Sequence, residues 1–131
     1  MGGLSEARLG GFMSGEAELT VPLRTLAREH GMVWALNGIA GMPADPLFEA
    51  ERGQTVVLTF VNEGRWPHAM HLHGHHFREL EPGSPWRDTL LVGPMETRKV
   101  AFRADNPGGW MLHCHMLEHQ AGGMGTWFTV S

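Results

Sequence analysis

The sequence predicts an all-β protein built as a Greek-key β-sandwich or barrel. Seven or eight short segments with strand character are separated by turns at regular spacing, which is typical of such folds. No repeat or linker interrupts the chain, and 131 residues can bury roughly two-thirds of the unfolded surface. We therefore expect one domain over residues 17–131. Residues 1–16, rich in glycine and without periodicity, are expected to form a flexible lead-in.

The first half of this domain is expected to contain three strands. Residues 17–21 alternate between apolar and polar side chains, as a half-buried strand does. Residues 23–30 are expected to form a short helix or an irregular connection, followed by a second strand over residues 33–37. Proline and glycine make residues 41–46 a loop. Residues 54–62 are the clearest strand, because they are rich in β-branched side chains.

The second half is expected to contain five more strands. They fall at residues 76–80, 89–92, 97–103, 110–115 and 126–130. Proline and glycine predict a loop over residues 81–86 and a tight turn over residues 106–109. This turn leads into the strand that carries the only cysteine.

Composition and charge exclude several classes of function. The chain has 10 basic and 14 acidic residues and a formal net charge of -4, which argues against nucleic acid as a partner. It has no run of about 18 apolar residues that could span a membrane. Its N-terminus lacks the basic and apolar regions of a secretory signal, so either a signal was removed or the chain is a fragment. The single cysteine excludes an internal disulfide.

The only cysteine, Cys114, lies in a stretch whose residue types and spacing suit a blue copper site. Such a site takes two imidazoles and one thiolate in a trigonal arrangement, with a weak axial thioether. Cys114, His119 and Met124 supply the thiolate, one imidazole and the thioether, with four residues between successive members. The second imidazole has to come from elsewhere, and His68 is the candidate. A lone cysteine also argues against a zinc site or a disulfide framework, which usually need more.

Histidines beside these residues form a second group of candidate ligands. If residues 110–115 are a strand, successive side chains point to opposite faces, so His113 and His115 lie opposite Cys114. His71 and His73 share a face for the same reason. The four histidines can then converge on one external surface, as a cluster of several copper ions requires. The alternative is that they are solvent-exposed or bind metal adventitiously.

The two histidine-rich stretches resemble the copper motifs of the multicopper oxidases, the family of laccase-like enzymes. The pattern His-x-x-His-x-His is met by His68, His71 and His73. The pattern His-Cys-His-x-x-x-His-x-x-x-x-Met is met by residues 113–124. The resemblance runs from about residue 17 to the C-terminus and is to the last cupredoxin domain of the family. It implies a cupredoxin-like fold and a copper cofactor.

The resemblance also assigns roles to the residues that match the motifs. The implied type 1 copper ligands are His68, Cys114, His119 and Met124. His71 would be a type 2 ligand, and the implied type 3 ligands are His73, His113 and His115. The last four residues are half of the histidines of the family's trinuclear cluster, and a partner cupredoxin domain supplies the other half.

Two classes of function follow, and a third is weaker. The chain is a one-copper electron-transfer module, or it is an oxygen-reducing oxidase completed by self-association or by a partner domain through the histidine surface. Copper buffering is the third possibility. We assign no catalytic residue and expect the isolated monomer not to be a competent oxidase. The resemblance implies a phenol or a reduced metal ion as electron donor and a periplasmic or extracellular location.

Four further polar residues lie outside the motifs. Asp88, within Trp-Arg-Asp-Thr, is either a hydrogen-bonding partner of a ligand histidine or a loop-capping residue. His30, His75 and His76 are expected to lie at the surface.

Overall fold

The computed structural model describes residues 16–28, 31–36, 39–40, 42–115 and 124–131. Within these ranges the chain forms eleven strands and no helix, which confirms the predicted all-β class. The strands are β1 (Glu16–Arg28), β2 (Gly31–Leu36), β3 (Ile39–Ala40), β4 (Glu49–Ala50), β5 (Gln54–Asn62), β6 (His68–Leu72), β7 (Arg78–Glu79), β8 (Thr89–Val92), β9 (Thr97–Ala104), β10 (Gly108–Cys114) and β11 (Gly125–Val130). The described part of the chain has no helix long and apolar enough to cross a membrane.

The strands form two sheets. One has six strands in the order β3-β2-β1-β5-β9-β7, and the other has five in the order β4-β11-β10-β6-β8. Among the described strands the neighbours pair antiparallel, except β1 with β5 and β11 with β4, which pair in parallel. The chain changes sheet between β5 and β6 and again between β6 and β7. Such crossings are those of a Greek-key sandwich.

The hydrophobic core lies between the two sheets. Phe102 on β9 and Phe128 on β11 are buried and meet across the sandwich, with ring centroids 5.7 Å apart. Phe48 stacks on Phe128 at 4.9 Å. Burying one such side chain contributes about 1.5–3 kcal/mol. The core therefore fixes the position of the two sheets relative to each other. It also fixes the strands that carry the histidine-rich stretches.

Strand β1 corrects the prediction for residues 23–30. It continues as a strand to Arg28, whereas the sequence predicts a short helix or an irregular connection. The first part of β1 pairs with β5, and from Leu23 onward it pairs with β2. Pairing on a sheet outweighs the helix preference of leucine, arginine and alanine. The predicted lead-in lies outside the described residues, except Glu16, which begins β1.

Most other predicted strands lie where expected, with one shortened. The strand predicted over residues 76–80 is reduced to β7, Arg78–Glu79. Phe77, just before it, instead exchanges two backbone hydrogen bonds of 2.8 Å with Arg87. Strands β3 and β4 have two residues each and are too short to produce a recognisable pattern. The first histidine-rich stretch is itself a strand, β6.

Candidate metal centre

Strands β6 and β10 lie side by side and carry the two histidine-rich stretches. They pair antiparallel, with His113 opposite His71 and Cys114 opposite Met70. Cross-strand partners share a face and successive residues alternate between faces. Cys114, Met70 and His68 therefore face the core, whereas His113 and His71 face outward. This strand pair thus presents two groups of candidate ligands, one on each face.

The core-facing group is closed off from solvent. Cys114, His68 and Met124 each have 0% of their surface exposed. The Cys114 Sγ lies 3.9 Å from His68 Nδ1, and the Cys114 N–H donates to the Met124 carbonyl at 3.1 Å. The structure therefore brings together three of the four residues predicted to bind type 1 copper. The fourth, His119, lies outside the described residues.

The chemistry and spacing of the buried donors fit a copper ion. A sulfur about 2.3 Å and a nitrogen about 2.0 Å from one ion are roughly 3.5–3.7 Å apart at tetrahedral to trigonal angles. The observed 3.9 Å between Cys114 Sγ and His68 Nδ1 is within a small side-chain adjustment of that range. Thiolate and thioether donors select copper over hard ions such as magnesium and calcium. The residues present therefore suit the metal that the sequence predicts.

The outward-facing imidazoles form a compact cluster, here called the histidine face and made of His71, His73, His113 and His115. The His71 ring centroid lies 4.8 Å from that of His73 and 4.9 Å from that of His115. One ring nitrogen from each of His71, His73 and His113 lies within 4.8 Å of the other two. The four histidines thus share one surface, as strand alternation predicts. Ring nitrogens this close can bind one metal ion or adjacent ions.

Hydrogen bonds set the orientation of two of these rings. His113 Nδ1 lies 3.0 Å from the Cys114 carbonyl oxygen, and His71 Nδ1 lies 3.0 Å from the Asp88 carbonyl oxygen. A carbonyl oxygen only accepts, so each Nδ1 carries the proton and Nε2 keeps its lone pair. At His113 that Nε2 lies 2.9 Å from His73 Nε2, which donates to it. The Nε2 atoms are therefore the potential metal-binding atoms of His71 and His113.

Asp88 contacts His71 mainly through its backbone. Its carbonyl accepts the His71 Nδ1–H, while its carboxylate lies 3.9 Å from the same nitrogen. The carboxylate accepts a hydrogen bond of 3.0 Å from the Thr89 hydroxyl, and this hydroxyl lies 3.0 Å from His71 Nδ1. This geometry favours Asp88 as a hydrogen-bonding partner of a candidate ligand, which fixes the tautomer and direction of the ring.

Burial keeps part of the histidine face uncharged. The pKa of His113 is lowered below its ordinary value chiefly by desolvation, which outweighs the hydrogen bond to the Cys114 carbonyl. The pKa of His73 is lowered by desolvation first and then by neighbouring histidines. Because a metal ion binds the neutral imidazole, both side chains are in their metal-binding form near neutral pH.

Apolar side chains border the histidine face on both sides. Met111 and Trp127 are cross-strand partners on the outer face and line an apolar depression together with Met42, which is 50% exposed. On the other side, Leu91 of β8 is 57% exposed. Exposed apolar side chains next to a polar cluster are typical of a surface that meets another protein.

One predicted surface residue is buried. His75 is only 6% exposed and lies among aromatic core residues, so the prediction for it is wrong. Strand alternation would have placed it outward with His73, but Gly74 has a φ of 75° and ends the alternation. Gly74, between His73 and His75, is the feature of the sequence that could have indicated this change of direction. His76 is exposed as predicted, and His30 lies outside the described residues.

Comparison with known proteins decides the family. Residues 16–131 match the family model described as multicopper oxidase. The chain belongs to the multicopper oxidase family. Multicopper oxidase MmcO of Mycobacterium tuberculosis is 40% identical over 96 residues, which cover 71% of this chain and 19% of that protein. The solved McoA multicopper oxidase of Aquifex aeolicus matches with a TM-score of 0.76 and 31% identity, over 90% of this chain and 30% of that one.

A more distant multicopper oxidase shows the same fold. The enzyme from Campylobacter jejuni matches with a TM-score of 0.79 at 20% identity, over 92% of this chain and 31% of that one. The family model and the matches to MmcO and McoA confirm the predicted family, the cupredoxin fold and copper as the cofactor of the family. The chain spans about a fifth of the length of MmcO and about a third of the solved oxidases.

Proposed function

We propose that this chain is a blue, type 1 copper electron-transfer domain that corresponds to the last domain of a laccase-like multicopper oxidase. The observation that carries the proposal is the buried approach of Cys114 Sγ to His68 Nδ1 at 3.9 Å, beside the buried Met124. His119 completes the ligand set through its match to the family motif. Copper bound there would supply one-electron chemistry by cycling between its cupric and cuprous states.

The protein's part is to hold the donors and exclude water. The β6–β10 ladder fixes the backbone that carries His68 and Cys114. Cys114 and Met124 belong to the same buried hydrophobic cluster as Met70 and Val92. A hydrophobic shell lowers the local dielectric and controls solvent access, which are two determinants of a reduction potential. The site is thus built for electron transfer without direct contact with water.

A short path joins the buried site to the histidine face. Cys114 and His113 are consecutive residues with opposite orientations, and the His113 Nδ1–H donates to the Cys114 carbonyl at 3.0 Å. The covalent backbone and this hydrogen bond together connect the thiolate to the outward imidazole. With copper held at the buried site, Cys114 and His113 would thus connect that site to the histidine face, which supports a function in electron transfer.

Copper content tests the proposal. The protein loaded with copper should show strong visible absorption and hold one copper per chain at the buried site. His68→Ala removes the buried imidazole and should lower both absorption and copper content, whereas His76→Ala changes an exposed histidine of the next turn and should alter neither. Equal copper content and equal absorption in the two variants would contradict the assignment of His68.

A second candidate is an oxygen-reducing oxidase completed by another copy of the chain. The observation that favours it is the histidine face itself, with His73 and His115 accessible and apolar residues on both sides. A symmetric dimer presents the same patch from both subunits, so two copies would bring twice the four histidines together. That number matches the trinuclear cluster of the family.

Sedimentation with metal analysis separates the two candidates. Self-association would give a dimer with more than one copper per chain, and His73→Ala/His115→Ala would return a one-copper monomer. If the wild type and this variant have the same mass and one copper per chain, the one-copper module stands and the oxidase candidate falls.

The donor and the location are proposed from the resemblance alone. We propose a phenol or a reduced metal ion as electron donor and a periplasmic or extracellular location. Adding a phenol or ferrous iron to the oxidised protein should bleach its visible absorption. The rates of bleaching by the phenol and by ferrous iron, compared with each other, would identify the donor class. If neither reductant bleached the absorption, the donor proposal would be refuted.

A further inference from the structure

His75 occupies an unusual place for a histidine, inside the aromatic core where the two sheets meet. Its ring centroid lies 5.2 Å from that of Phe102, 5.6 Å from that of Phe128 and 5.9 Å from that of Trp110. Phe102 belongs to one sheet and Phe128 to the other. A phenylalanine would fill this space without any polar atom that needs a hydrogen-bonding partner. The role of a histidine here therefore depends on the contacts of its two ring nitrogens.

Both ring nitrogens of His75 contact the backbone. Nδ1 lies 3.2 Å from the His73 carbonyl oxygen, and Nε2 accepts the Asn106 N–H at 3.3 Å. Because Nε2 accepts, the proton is on Nδ1, which donates to His73. Buried polar groups are costly unless they are hydrogen-bonded. The ring therefore joins the loop before β10 to the residue that precedes Gly74.

His73 depends on such support more than its neighbours do. His71 and His113 are cross-strand partners within the β6–β10 ladder, whereas β6 ends at Leu72. Beyond that point, His73 is held through its N–H, which donates to the Met111 carbonyl at 2.9 Å, and through its carbonyl, which accepts from His75. Without the second contact only one end of its peptide backbone is fixed.

The turn around Gly74 strengthens the same connection. The Gly74 carbonyl accepts the Asn106 side-chain amide at 3.0 Å, and the Asn106 carbonyl accepts the Trp110 indole N–H at 2.9 Å. Asn106 thus contacts His75, Gly74 and Trp110 at once. The connection from the core to the histidine face is a closed set of hydrogen bonds rather than a single contact.

We propose that His75 is a positioning residue for His73, holding its imidazole against His113 so that the histidine face is preformed for copper. This inference rests on the second candidate function proposed above, in which that face binds copper. His73 Nε2 donates to His113 Nε2 at 2.9 Å, and this close approach is the geometry that His75 maintains. Partners that orient a metal ligand are typically worth about 10–100-fold in metal affinity.

Three variants test the role. His75→Phe keeps a ring among the aromatic residues but removes both hydrogen bonds. His75→Asn restores an amide near the Nδ1 position, which can again donate to the His73 carbonyl. Val100→Ala, a core change in the opposite sheet, controls for general loss of stability. In the metal-free protein, imidazole nitrogen–proton spectra should show the His73–His113 hydrogen bond lost in His75→Phe, recovered in His75→Asn and retained in Val100→Ala.

Copper titration gives the second readout. The affinity of the histidine face for copper(II) should fall about 10–100-fold in His75→Phe, with His75→Asn closer to wild type and the buried site unchanged. Unaltered His73 resonances in His75→Phe, or the same changes in Val100→Ala, would overturn the positioning role. If the wild-type histidine face binds no copper, the second candidate function fails, and the spectra of the metal-free protein still decide whether His75 positions His73.

Discussion

Replacing Gly74 by alanine tests how the end of β6 is built. Gly74 has a φ of 75°, and a Cβ placed on it would lie 2.5 Å from Trp110 Cδ2. The indole is not free to move, because its N–H is bound to the Asn106 carbonyl at 2.9 Å. Gly83 is a matched control, since its φ is 82° and nothing lies within 4 Å of its added Cβ.

The two variants should differ by the cost of the collision. A left-handed backbone costs a non-glycine residue about 1–2 kcal/mol, partly offset by about 0.4–1 kcal/mol from the stiffer unfolded chain. Gly83→Ala should therefore reduce the free energy of unfolding by about 1 kcal/mol. Displacing the Trp110 ring from a packed position adds about 1–3 kcal/mol. Gly74→Ala should thus reduce the free energy of unfolding by about 2–4 kcal/mol.

Urea unfolding measures this difference directly. With a slope of about 1–3 kcal/mol/M for a protein of this size, an extra 2 kcal/mol lowers the urea midpoint by roughly 1 M. Tryptophan fluorescence and far-ultraviolet circular dichroism should give coincident transitions. Equal midpoints for Gly74→Ala and Gly83→Ala would refute the claim that the Trp110 ring closes over this turn.

Three more predictions concern the candidate metal sites and their surroundings. Met124→Leu should retain copper and raise the reduction potential measured by voltammetry, whereas Met124→Gln should retain copper and lower the potential, because an axial ligand tunes the potential. Loss of copper in both variants would show that Met124 is not an axial ligand. The metal-free protein should lose stability as the pH falls below about 6.5, because His73 and His113 bind protons more readily in the unfolded chain than in the fold, where their pKa values are lowered. Between pH 7.5 and 5 the urea midpoint should therefore fall less in His113→Asn than in His76→Asn, and an equal fall in both variants would contradict the reasoning. Copper-loaded protein shown to be monomeric should not sustain oxygen uptake with a phenolic donor, because one copper stores one electron and reducing oxygen to water takes four; steady uptake in an oxygen electrode would overturn this.

The placement of the candidate ligands was predictable because it depends on local rules. Alternation along a strand places Cys114 and His113 on opposite faces whatever the rest of the fold does. The same rule brings His71 to the outward face once β6 and β10 are paired. Cys114, His119 and Met124 likewise lie within a dozen residues, and their residue types match the donor set of a blue copper site.

The incorrect predictions concern residues whose structure depends on interactions between distant segments. Residues 23–28 carry a helix-compatible pattern, yet they form a strand because β2 is available to pair with them. His75 is buried because Gly74 turns the chain and because Asn106, thirty-one residues later, supplies a backbone N–H. For Asp88 the sequence left two alternatives open, because the contact with His71 is made by the backbone carbonyl, a group that every residue carries.

The most direct test of the central claim is the colour of the copper-loaded protein with and without its only thiol. Visible absorption and electron paramagnetic resonance would be recorded on the wild type and on Cys114→Ser at equal copper content. If the Cys114 thiolate is a copper ligand, the wild type is intensely blue through charge transfer from sulfur to copper(II), and Cys114→Ser has lost that band. A variant that stays blue, or a copper-loaded wild type without the band, would contradict the type 1 assignment.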